Sequence, residues 1–299
     1  MWFDRKWEEM TATKSYMVTP ALSIPHLGMG TTLRSPSEGD ILVGNLVFGI
    51  RNGYRMIDTA WVYKTERLVG EAVRIACAEG HNRSDLFIQT KYYPQYPYGY
   101  DAVMSQFEES LNSLGLEYVD AYLIHQPIPR YAELEYKEMN RQAWNAMEEL
   151  FHAGRVRAIG VSNFLERHIE WMTEDAEVQP MINQLEINPF FQQRGLCEWC
   201  RMRGMVVESW GPLAKGSAVS SEALKGISRK YSVSVGQLCL KWNIQMGNIP
   251  MVYSTSKENI RLNTQLDFDI TEDDMEAIRL LNTSTNHRET WWYPRQQMY

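Results

Sequence analysis

Residues 56–80 read MIDTAWVYKTERLVGEAVRIACAEG and contain one complete strand–helix unit. The unit opens with the short run MID, typical of strands that are buried on both faces. A helical pattern follows over residues 66–79, where apolar residues recur at i, i+3 and i+4, and Gly80 stands where a C-cap glycine is expected. Repeated units of this kind build parallel α/β folds.

The same unit recurs along the chain. Helical patterns over residues 102–114 and 142–153 are each followed by a glycine. Eight units at roughly 30–35-residue spacing predict a (β/α)8 TIM barrel with parallel strands, and an open doubly wound sheet is the structural alternative. The predicted strands are Leu27–Thr31, Met56–Asp58, Leu86–Lys91, Val119–His125, Ala158–Ser162, Met181–Glu186, Met205–Ser209 and Ile249–Val252.

Composition and charge narrow the functional classes. The chain has 299 residues, of which 44% are hydrophobic and 22% charged, as in ordinary soluble globular proteins. Its 30 basic and 37 acidic residues give a net charge of −7 without a basic block, so a nucleic-acid partner is not expected. Four cysteines are too few for a disulfide scaffold. With no linker or low-complexity tract, we predict a single domain over residues 1–299.

The sequence gives no sign of a targeting or membrane segment. Residues 1–9 are charged and lack the apolar core of a secretory signal. The longest apolar stretch, residues 41–50, has ten residues, whereas a membrane span needs about 20. We therefore predict a cytoplasmic protein with reduced cysteines and a small-molecule substrate, without a membrane partner, as a monomer or a small homo-oligomer.

Polar side chains cluster at the carboxyl ends of six predicted strands. TIM barrels carry their active sites at this face, so we expect the site there. The residues are Asp58, Lys91, His125, Ser162, Asn163, Gln184 and Trp210.

Four residues of this face fit proton transfer to a carbonyl that becomes an alkoxide. A tyrosine phenol such as that of Tyr63 has a pKa near 10, too high for easy proton donation at neutral pH. An ammonium about 4 Å away contributes ~4 kcal/mol at an effective dielectric of ~20, or about three pKa units before desolvation offsets it. Lys91, held by Asp58, can supply that ammonium, and His125 can hydrogen-bond the same substrate oxygen.

Five ordered blocks resemble a known family. Residues 58–70, DTAWVYKTERLVG, are similar to the DTAxxYxxExxxG signature of aldo-keto reductases, and four further family blocks follow in the right order. The resemblance extends from about Leu22 to Leu281, and its details are most similar to the bacterial branch that resembles diketogluconate reductases. The further blocks are LIHQP at 123–127, GVSNF at 160–164, NQLE at 183–186 and ESWGPLAKG at 208–216.

The resemblance implies a barrel that reduces an aldehyde or ketone to an alcohol with NADPH. Tyr63 is then the general acid, Asp58 and Lys91 tune it, and His125 orients the carbonyl. The cofactor-binding residues that it implies are Gly30, Thr31, Thr32, Asp58, Ser162, Asn163, Gln184, Trp210, Gly211, Pro212, Leu213, Lys215, Gly216, Ser217, Ser254, Thr255, Asn259 and Asn263. The implied substrate-pocket residues are Trp61, Tyr92, Tyr93, His125, Gln126, Trp291 and Trp292, with a C-terminal tail at 283–299 over the pocket and an N-terminal extension at 1–20.

The block implied to hold the adenosine end departs from the family pattern IPKSxxxxRIxEN. Tyr253 takes the place of the lysine and Asn259 that of the arginine, the two cations that normally meet the 2′-phosphate of NADP. Ser254 keeps the hydroxyl, and Lys257 or Arg261 can compensate. We therefore expect NADPH as cofactor and leave NADH or dual use open.

Other functions remain open. A nicotinamide-binding barrel subunit that regulates a channel can keep all four catalytic residues, and an aldolase can use Lys91 to form a Schiff base. Cys197 and Cys200 form a CxxC in a helical stretch without a second such pair, so we interpret them as structural rather than redox-active or zinc-binding. The six histidines show no metal-ligand spacing, and no metal site is predicted.

Overall fold

The computed structural model describes residues 15–19, 22–33, 35–95, 97–127 and 136–283. The strands in these ranges are β1 (Ser15–Thr19), β2 (Leu22–Pro25), β3 (Gly28–Gly30), β4 (Met56–Asp58), β5 (Phe87–Tyr92), β6 (Val119–Ile124), β7 (Val156–Ser162), β8 (Ile182–Glu186), β9 (Val206–Trp210) and β10 (Asn248–Val252). Strands β3 to β10 are parallel and close into a barrel in which β10 lies beside β3. The predicted (β/α)8 barrel is confirmed, and the open sheet is excluded.

Helices follow the barrel strands on the outside. Gly115 comes directly after the helix Tyr100–Leu114 and has φ of 63°. Gly154 comes two residues after the helix Tyr136–His152 and has φ of 69°. Both are the glycines that the sequence predicts at the ends of these helices. No helix in the described ranges is long and apolar enough to cross a membrane. The helices are α1 (Gly39–Arg51), α2 (Glu66–Ala78), α3 (Tyr100–Leu114), α4 (Tyr136–His152), α5 (Glu166–Met172), α6 (Arg194–Met202), α7 (Ser217–Ser220), α8 (Glu222–Lys230), α9 (Val235–Gln245), α10 (Lys257–Leu262) and α11 (Glu272–Arg279).

Two apolar layers hold the barrel together. The larger lies between the strands and the helices, and the packing there is tight: a Cβ on Gly70 of α2 would lie 2.0 Å from the carbonyl oxygen of Leu114. The smaller fills the interior of the barrel, where Leu22 and Ile24 pack with residues such as Met56. These two side chains come from the antiparallel β1–β2 hairpin. The hairpin therefore closes the amino-terminal end of the barrel, and the predicted extension contributes one of its strands.

Candidate active site

An ion pair lies at the centre of the carboxyl-end face. Asp58 is the last residue of β4, and Lys91 projects from the adjacent strand β5. Nζ of Lys91 lies 2.5 Å from Oδ1 of Asp58 and donates a second hydrogen bond to the backbone oxygen of Thr59 over 2.9 Å. Both side chains are buried, so this ammonium and this carboxylate stabilise each other out of contact with bulk water.

The phenol of Tyr63 meets this pair from a short turn. A single 3-10 turn, Trp61–Tyr63, follows β4 and brings the ring of Tyr63 to 5.2 Å from Nζ of Lys91. The phenol oxygen lies 3.3 Å from Nε2 of His125 and also hydrogen-bonds Lys91 and Thr32. Because β4, β5 and β6 are neighbours, residues far apart in sequence converge here. The structure brings the four predicted catalytic residues together.

Burial sets the protonation states of this cluster. It raises the pKa of Tyr63; the ammonium of Lys91 opposes the rise, and the carboxylate of Asp58 adds to it. The lowering by Lys91 expected from the sequence is therefore present but outweighed by desolvation. Burial and then Lys91 hold the pKa of His125 well below its usual range, so the imidazole is neutral. Burial alone would lower the pKa of Lys91, but Asp58 and Tyr63 outweigh it and the pKa is raised, so the ammonium persists.

The turn after β3 supports the cluster from one side. Thr31 is buried, and its hydroxyl donates to the backbone oxygen of Asp58 over 3.1 Å. Thr65 donates to the hydroxyl of Thr31 over 3.2 Å. Gly30 ends β3 directly before Thr31. This turn therefore fixes the backbone that carries Asp58.

A second group of predicted residues surrounds the catalytic cluster at the ends of β7, β8 and β9. The hydroxyl of Ser162 donates to the backbone oxygen of Gln184 over 2.9 Å. Nδ2 of Asn163 donates to the backbone oxygen of His125 over 3.0 Å, and its Oδ1 accepts from Nε1 of Trp210 over 2.9 Å. Asn163 adopts a left-handed backbone conformation with φ of 62°, which asparagine tolerates better than most residues. The indole of Trp210 is therefore held by Asn163, which itself binds the backbone of His125.

The loop after β9 curls tightly over residues 211–217. Gly211 and Gly216 have φ of 64° and 103°, and Lys215 has φ of 52°. The hydroxyl of Ser217 donates to the backbone oxygen of Ala214 over 2.8 Å. The loop also contains the predicted cofactor residues Pro212 and Leu213. Turn backbone of this kind can present N–H groups to an anion such as a pyrophosphate.

The block after β10 is bonded mainly within itself, to α1 and to Glu38 directly before α1. The hydroxyl of Tyr253 donates to Oε2 of Glu38 over 2.7 Å, and the backbone N–H of Ser256 donates to Oγ of Ser254 over 3.1 Å. Arg261 donates to both carboxylate oxygens of Glu258, over 3.1 Å and 2.7 Å. Tyr253, which stands in the lysine position, therefore hydrogen-bonds a carboxylate, and so does Arg261, a candidate replacement cation.

The other predicted residues of this block have local roles. The backbone N–H of Asn259 donates to Oγ of Ser256, which caps α10, over 3.3 Å. The backbone oxygen of Thr255 accepts from Asn45 over 3.4 Å. Asn263 is buried and hydrogen-bonds the phenol of Tyr54. Asn263 therefore has a hydrogen-bond partner within the protein.

The residues predicted for the substrate side lie in different surroundings. Tyr93 lies at the mouth, where its ring is 5.8 Å from that of His125, and Gln126 is buried beside them. Nε1 of Trp61 donates to Glu109 over 2.8 Å, which holds the indole at the rim. The placement of Tyr92 in the pocket is wrong. Side chains alternate along a strand, so Tyr92 points away from the face of Lys91 and is fully buried among the core residues under the helices. Trp291, Trp292 and the rest of the tail lie outside the described residues.

Two further residues of the site were not predicted from the sequence. Gln89 and Glu208 lie below the catalytic cluster, and both are fully buried. Gln89 donates to Asp58 over 2.8 Å and to Glu208 over 2.7 Å. A glutamate inside the apolar run VVESW, residues 206–210, was the available signal, because buried charges are rare unless they are paired.

The cysteine pair behaves as a structural feature. Cys197 and Cys200 are buried on α6, and burial raises their pKa values to about 12 and about 11. Nδ2 of Asn183 donates to the sulfur of Cys200 over 3.4 Å. Thiols with such pKa values are poor nucleophiles. Within the described residues, no group of three His, Cys, Asp or Glu side chains could hold a metal ion.

Comparison with known proteins places this barrel among the oxidoreductases. The oxidoreductase YtbE of Bacillus subtilis is 41% identical over 263 residues, which cover 87% of this chain and 90% of the relative. The Glyoxal reductase of the same organism is 36% identical over 262 residues, with the same coverage. An aldo-keto reductase of Bombyx mori, crystallised in complex with NADP, superposes with a TM-score of 0.85 at 30% identity and covers 96% of this chain and 99% of its own.

The family model of the Aldo/keto reductase family matches residues 47–283, and the chain belongs to that family. The protein is an NAD(P)H-dependent oxidoreductase that reduces an aldehyde or ketone to an alcohol, and NADPH is its cofactor.

Proposed function

We propose that Tyr63 is the general acid of this reduction. The observation that carries the proposal is the convergence of its phenol on Nε2 of His125, 3.3 Å away, beside the buried Lys91–Asp58 pair. Two donors at this spacing can hydrogen-bond one carbonyl oxygen, and their electrostatic stabilisation grows as that oxygen becomes an alkoxide. When bound, the reduced nicotinamide supplies the hydride to the carbonyl carbon.

Lys91 and Asp58 act on Tyr63 rather than on the substrate. After Tyr63 gives up its proton, the remaining phenolate lies beside the ammonium of Lys91, which attracts it. Asp58 keeps this ammonium charged and in place through the 2.5 Å contact. Because the pKa of His125 is lowered, its imidazole is neutral and orients the carbonyl by a hydrogen bond without carrying a proton to it.

The residues around the cluster fit a nicotinamide. Ser162, Asn163 and Gln184 supply hydroxyl and amide groups for the carboxamide, and Trp210 supplies a flat aromatic surface for the ring. The side chains of Ser162, Asn163 and Trp210 are linked by hydrogen bonds, and the hydroxyl of Ser162 also donates to the backbone oxygen of Gln184, which supports pre-organisation of the site. The loop at 211–217 would hold the pyrophosphate, and residues 254–263 the adenosine.

The substrate is proposed to be a small aldehyde or dicarbonyl. The support is the name of the related Glyoxal reductase and the polar Gln126 directly after His125, where family members often have a tryptophan. We further propose a single domain that works in the cytoplasm as a monomer or a small homo-oligomer. The four free cysteines, three of them buried, support a reducing compartment.

A carbonyl panel tests the activity. Glyoxal, small aldehydes and ketones are assayed with NADPH and with NADH by the absorbance of the reduced nicotinamide. NADPH-dependent turnover of at least one small aldehyde is expected. Tight NADPH binding without turnover across the panel would support the regulatory-subunit alternative instead. Borohydride trapping of a substrate on Lys91 would support the Schiff-base alternative.

A further inference from the structure

A second carboxyl group lies beneath the active site, inside the barrel. Glu208 is the middle residue of β9, and its side chain is fully buried. Its register neighbours are Gln184 on β8 and Ile249 on β10. An ionisable group at such a position is costly unless its surroundings compensate the charge.

Two amides join this carboxyl group to the catalytic aspartate. Nε2 of Gln89 donates to Oε2 of Glu208 over 2.7 Å and to Oδ1 of Asp58 over 2.8 Å. Nε2 of Gln184 donates to the same two oxygens over 2.8 Å and 3.2 Å. An amide NH₂ group has two hydrogens, so each amide uses both. The two carboxyl groups are therefore held apart at a fixed spacing.

The buried charges of Asp58, Lys91 and Glu208 do not balance when both carboxyl groups are ionised. The ammonium of Lys91 contacts Asp58, and among the described residues no lysine, arginine or histidine forms an ion pair with Glu208. Two carboxylates and one ammonium leave a net negative charge in the barrel interior. An un-ionised Glu208 leaves none, and like charges that share a buried site favour protonation of one of the two acids.

We propose that Glu208 is a positioning residue of the reductase site and acts in its un-ionised form. It fixes the NH₂ group of Gln184, which leaves the carbonyl oxygen of that amide for the nicotinamide carboxamide. By staying neutral, it also leaves Asp58 as the single counter-charge of Lys91. This inference rests on the proposed function, because it assigns Glu208 a part in the same reaction.

The pKa of Glu208 agrees with this reading. Burial raises it to about 7, and the nearby carboxylate of Asp58 adds to the rise. The hydrogen bonds from Gln89 and Gln184 and the ammonium of Lys91 oppose the rise. The group is therefore largely un-ionised below neutral pH and becomes ionised above it.

The elements packed around Glu208 offer it little positive charge. Strand β4 contributes Asp58, and β5 contributes Lys91. Strand β8 carries Glu186 two residues beyond Gln184, on the same face, and β10 contributes the apolar Ile249 in register. The phenol and the imidazole of the catalytic cluster lie beyond the lysine. Ionisation of Glu208 would therefore add a further carboxylate to a region with one ammonium.

Such ionisation would oppose proton donation by Tyr63. When Tyr63 loses its proton, a negative charge forms beside Lys91, whose Nζ lies 5.2 Å from the ring centroid. An ionised Glu208 in the layer below makes this charge less favourable. The un-ionised form, present at low pH, is therefore the active one, and reduction should slow as the pH rises through about 7.

The variant Glu208→Gln tests this directly, because glutamine keeps the shape and a hydrogen-bond acceptor but cannot ionise. For the wild type, kcat should fall to about a tenth of its plateau one pH unit above the pKa of Glu208. For Glu208→Gln, kcat should keep its plateau over this interval. The matched control is Glu66→Gln. Glu66 is also buried with a raised pKa, but it accepts from Thr90 over 2.7 Å, and its variant should follow the wild-type profile.

Infrared spectroscopy gives a readout that needs no turnover. In Glu66→Gln protein, the carbonyl stretch of an un-ionised carboxylic acid should persist to neutral pH and disappear with a midpoint near 7, and it should be missing from the double variant with Glu208→Gln. Loss of this band well below pH 6, or identical pH profiles for wild type and Glu208→Gln, would overturn the proposal. If Glu208→Gln does not fold, the band in Glu66→Gln protein decides alone. A protein that shows the band but reduces no carbonyl refutes the proposed function and not the state of Glu208.

Discussion

The two ends of the proposed cofactor site are stabilised by different kinds of interaction. At the nicotinamide end, the catalytic groups come from different strands and are mostly buried, as the Lys91–Asp58 pair shows. At the adenosine end, the ion pair between Arg261 and Glu258 is exposed and joins two residues that are near neighbours in sequence. A buried group depends on one partner, whereas an exposed charge is screened by water and is worth little. We infer that this difference allowed the adenosine block to depart from the family pattern while the catalytic blocks did not.

The largest effect is expected at the buried end, from Tyr63→Phe. Loss of the general acid should lower kcat by about 10²–10⁴-fold, because the phenol acts on the transition state. NADPH affinity, measured by fluorescence titration, should stay nearly unchanged. Tyr93→Phe is the matched control, since its ring also lies near His125, 5.8 Å away, but donates no proton in the proposed reaction. More than a tenth of wild-type turnover in Tyr63→Phe, where chemistry limits the rate, would contradict the assignment.

Lys91→Met should have the next largest effect and should change the pH profile. Without the ammonium, the pKa of Tyr63 rises further, so the pH at which reduction is lost through phenol ionisation should move upward while kcat falls by about 10²-fold or more. Asp58 would also be left buried and unpaired, at a cost of about 3–5 kcal/mol in the free energy of unfolding.

The double variant Lys91→Met with Asp58→Asn separates these two consequences. It removes the buried charge together with its partner, so Tm should recover while kcat stays low. Measured in the Glu208→Gln background, where ionisation of Glu208 does not shape the pH profile, an unmoved alkaline limb in folded Lys91→Met protein would show that Lys91 does not act on Tyr63.

The sequence predicted the buried end well for a physical reason. Parallel strands end at one face of a barrel, so polar residues after apolar runs must converge, and this rule found Asp58, Lys91 and His125. The rule does not show which side chains of different strands lie at the same height inside the barrel. The hydrogen bond between Gln89 and Glu208 was therefore not predicted. The error at Tyr92 was avoidable, because strand alternation already places it opposite Lys91.

The exposed end was harder to predict from sequence. The sequence shows directly that Tyr253 and Asn259 replace the two family cations, and the structure adds that Arg261, a candidate replacement, is paired with a carboxylate. The contact between Tyr253 and Glu38 could not be foreseen, because the two residues are 215 positions apart and lie on no shared pattern. Contacts between loops depend on the closed barrel that brings them together.

Tyr253→Lys should restore phosphate recognition at the exposed end. A hydrogen bond to a charged group is worth roughly 1.5–3 kcal/mol, so the ratio of kcat/KM for NADPH to that for NADH should rise by about one to two decades. Tyr253→Phe is the matched control: it removes the bond to Glu38 without adding a cation and should change the ratio much less. If the wild-type ratio already exceeds about a thousand, another cation holds the phosphate; Lys257→Ala and Arg261→Ala, made separately, should then identify it.

The smallest effect is expected from Glu38→Gln. The carboxylate of Glu38 accepts from Tyr253 over 2.7 Å and lies half-buried where the proposed site would receive the 2′-phosphate. Removing its charge should therefore strengthen NADPH binding about two- to fivefold relative to NADH, and because part of this charge faces solvent, the gain should shrink in high salt. Equilibrium titrations with 2′,5′-ADP and with 5′-ADP at two ionic strengths measure the effect without turnover. Glu276→Gln, which changes an exposed carboxylate on α11, should alter neither affinity. A salt-independent gain, or equal gains for both nucleotides, would mean that Glu38 acts through the conformation of the loop and not through its charge.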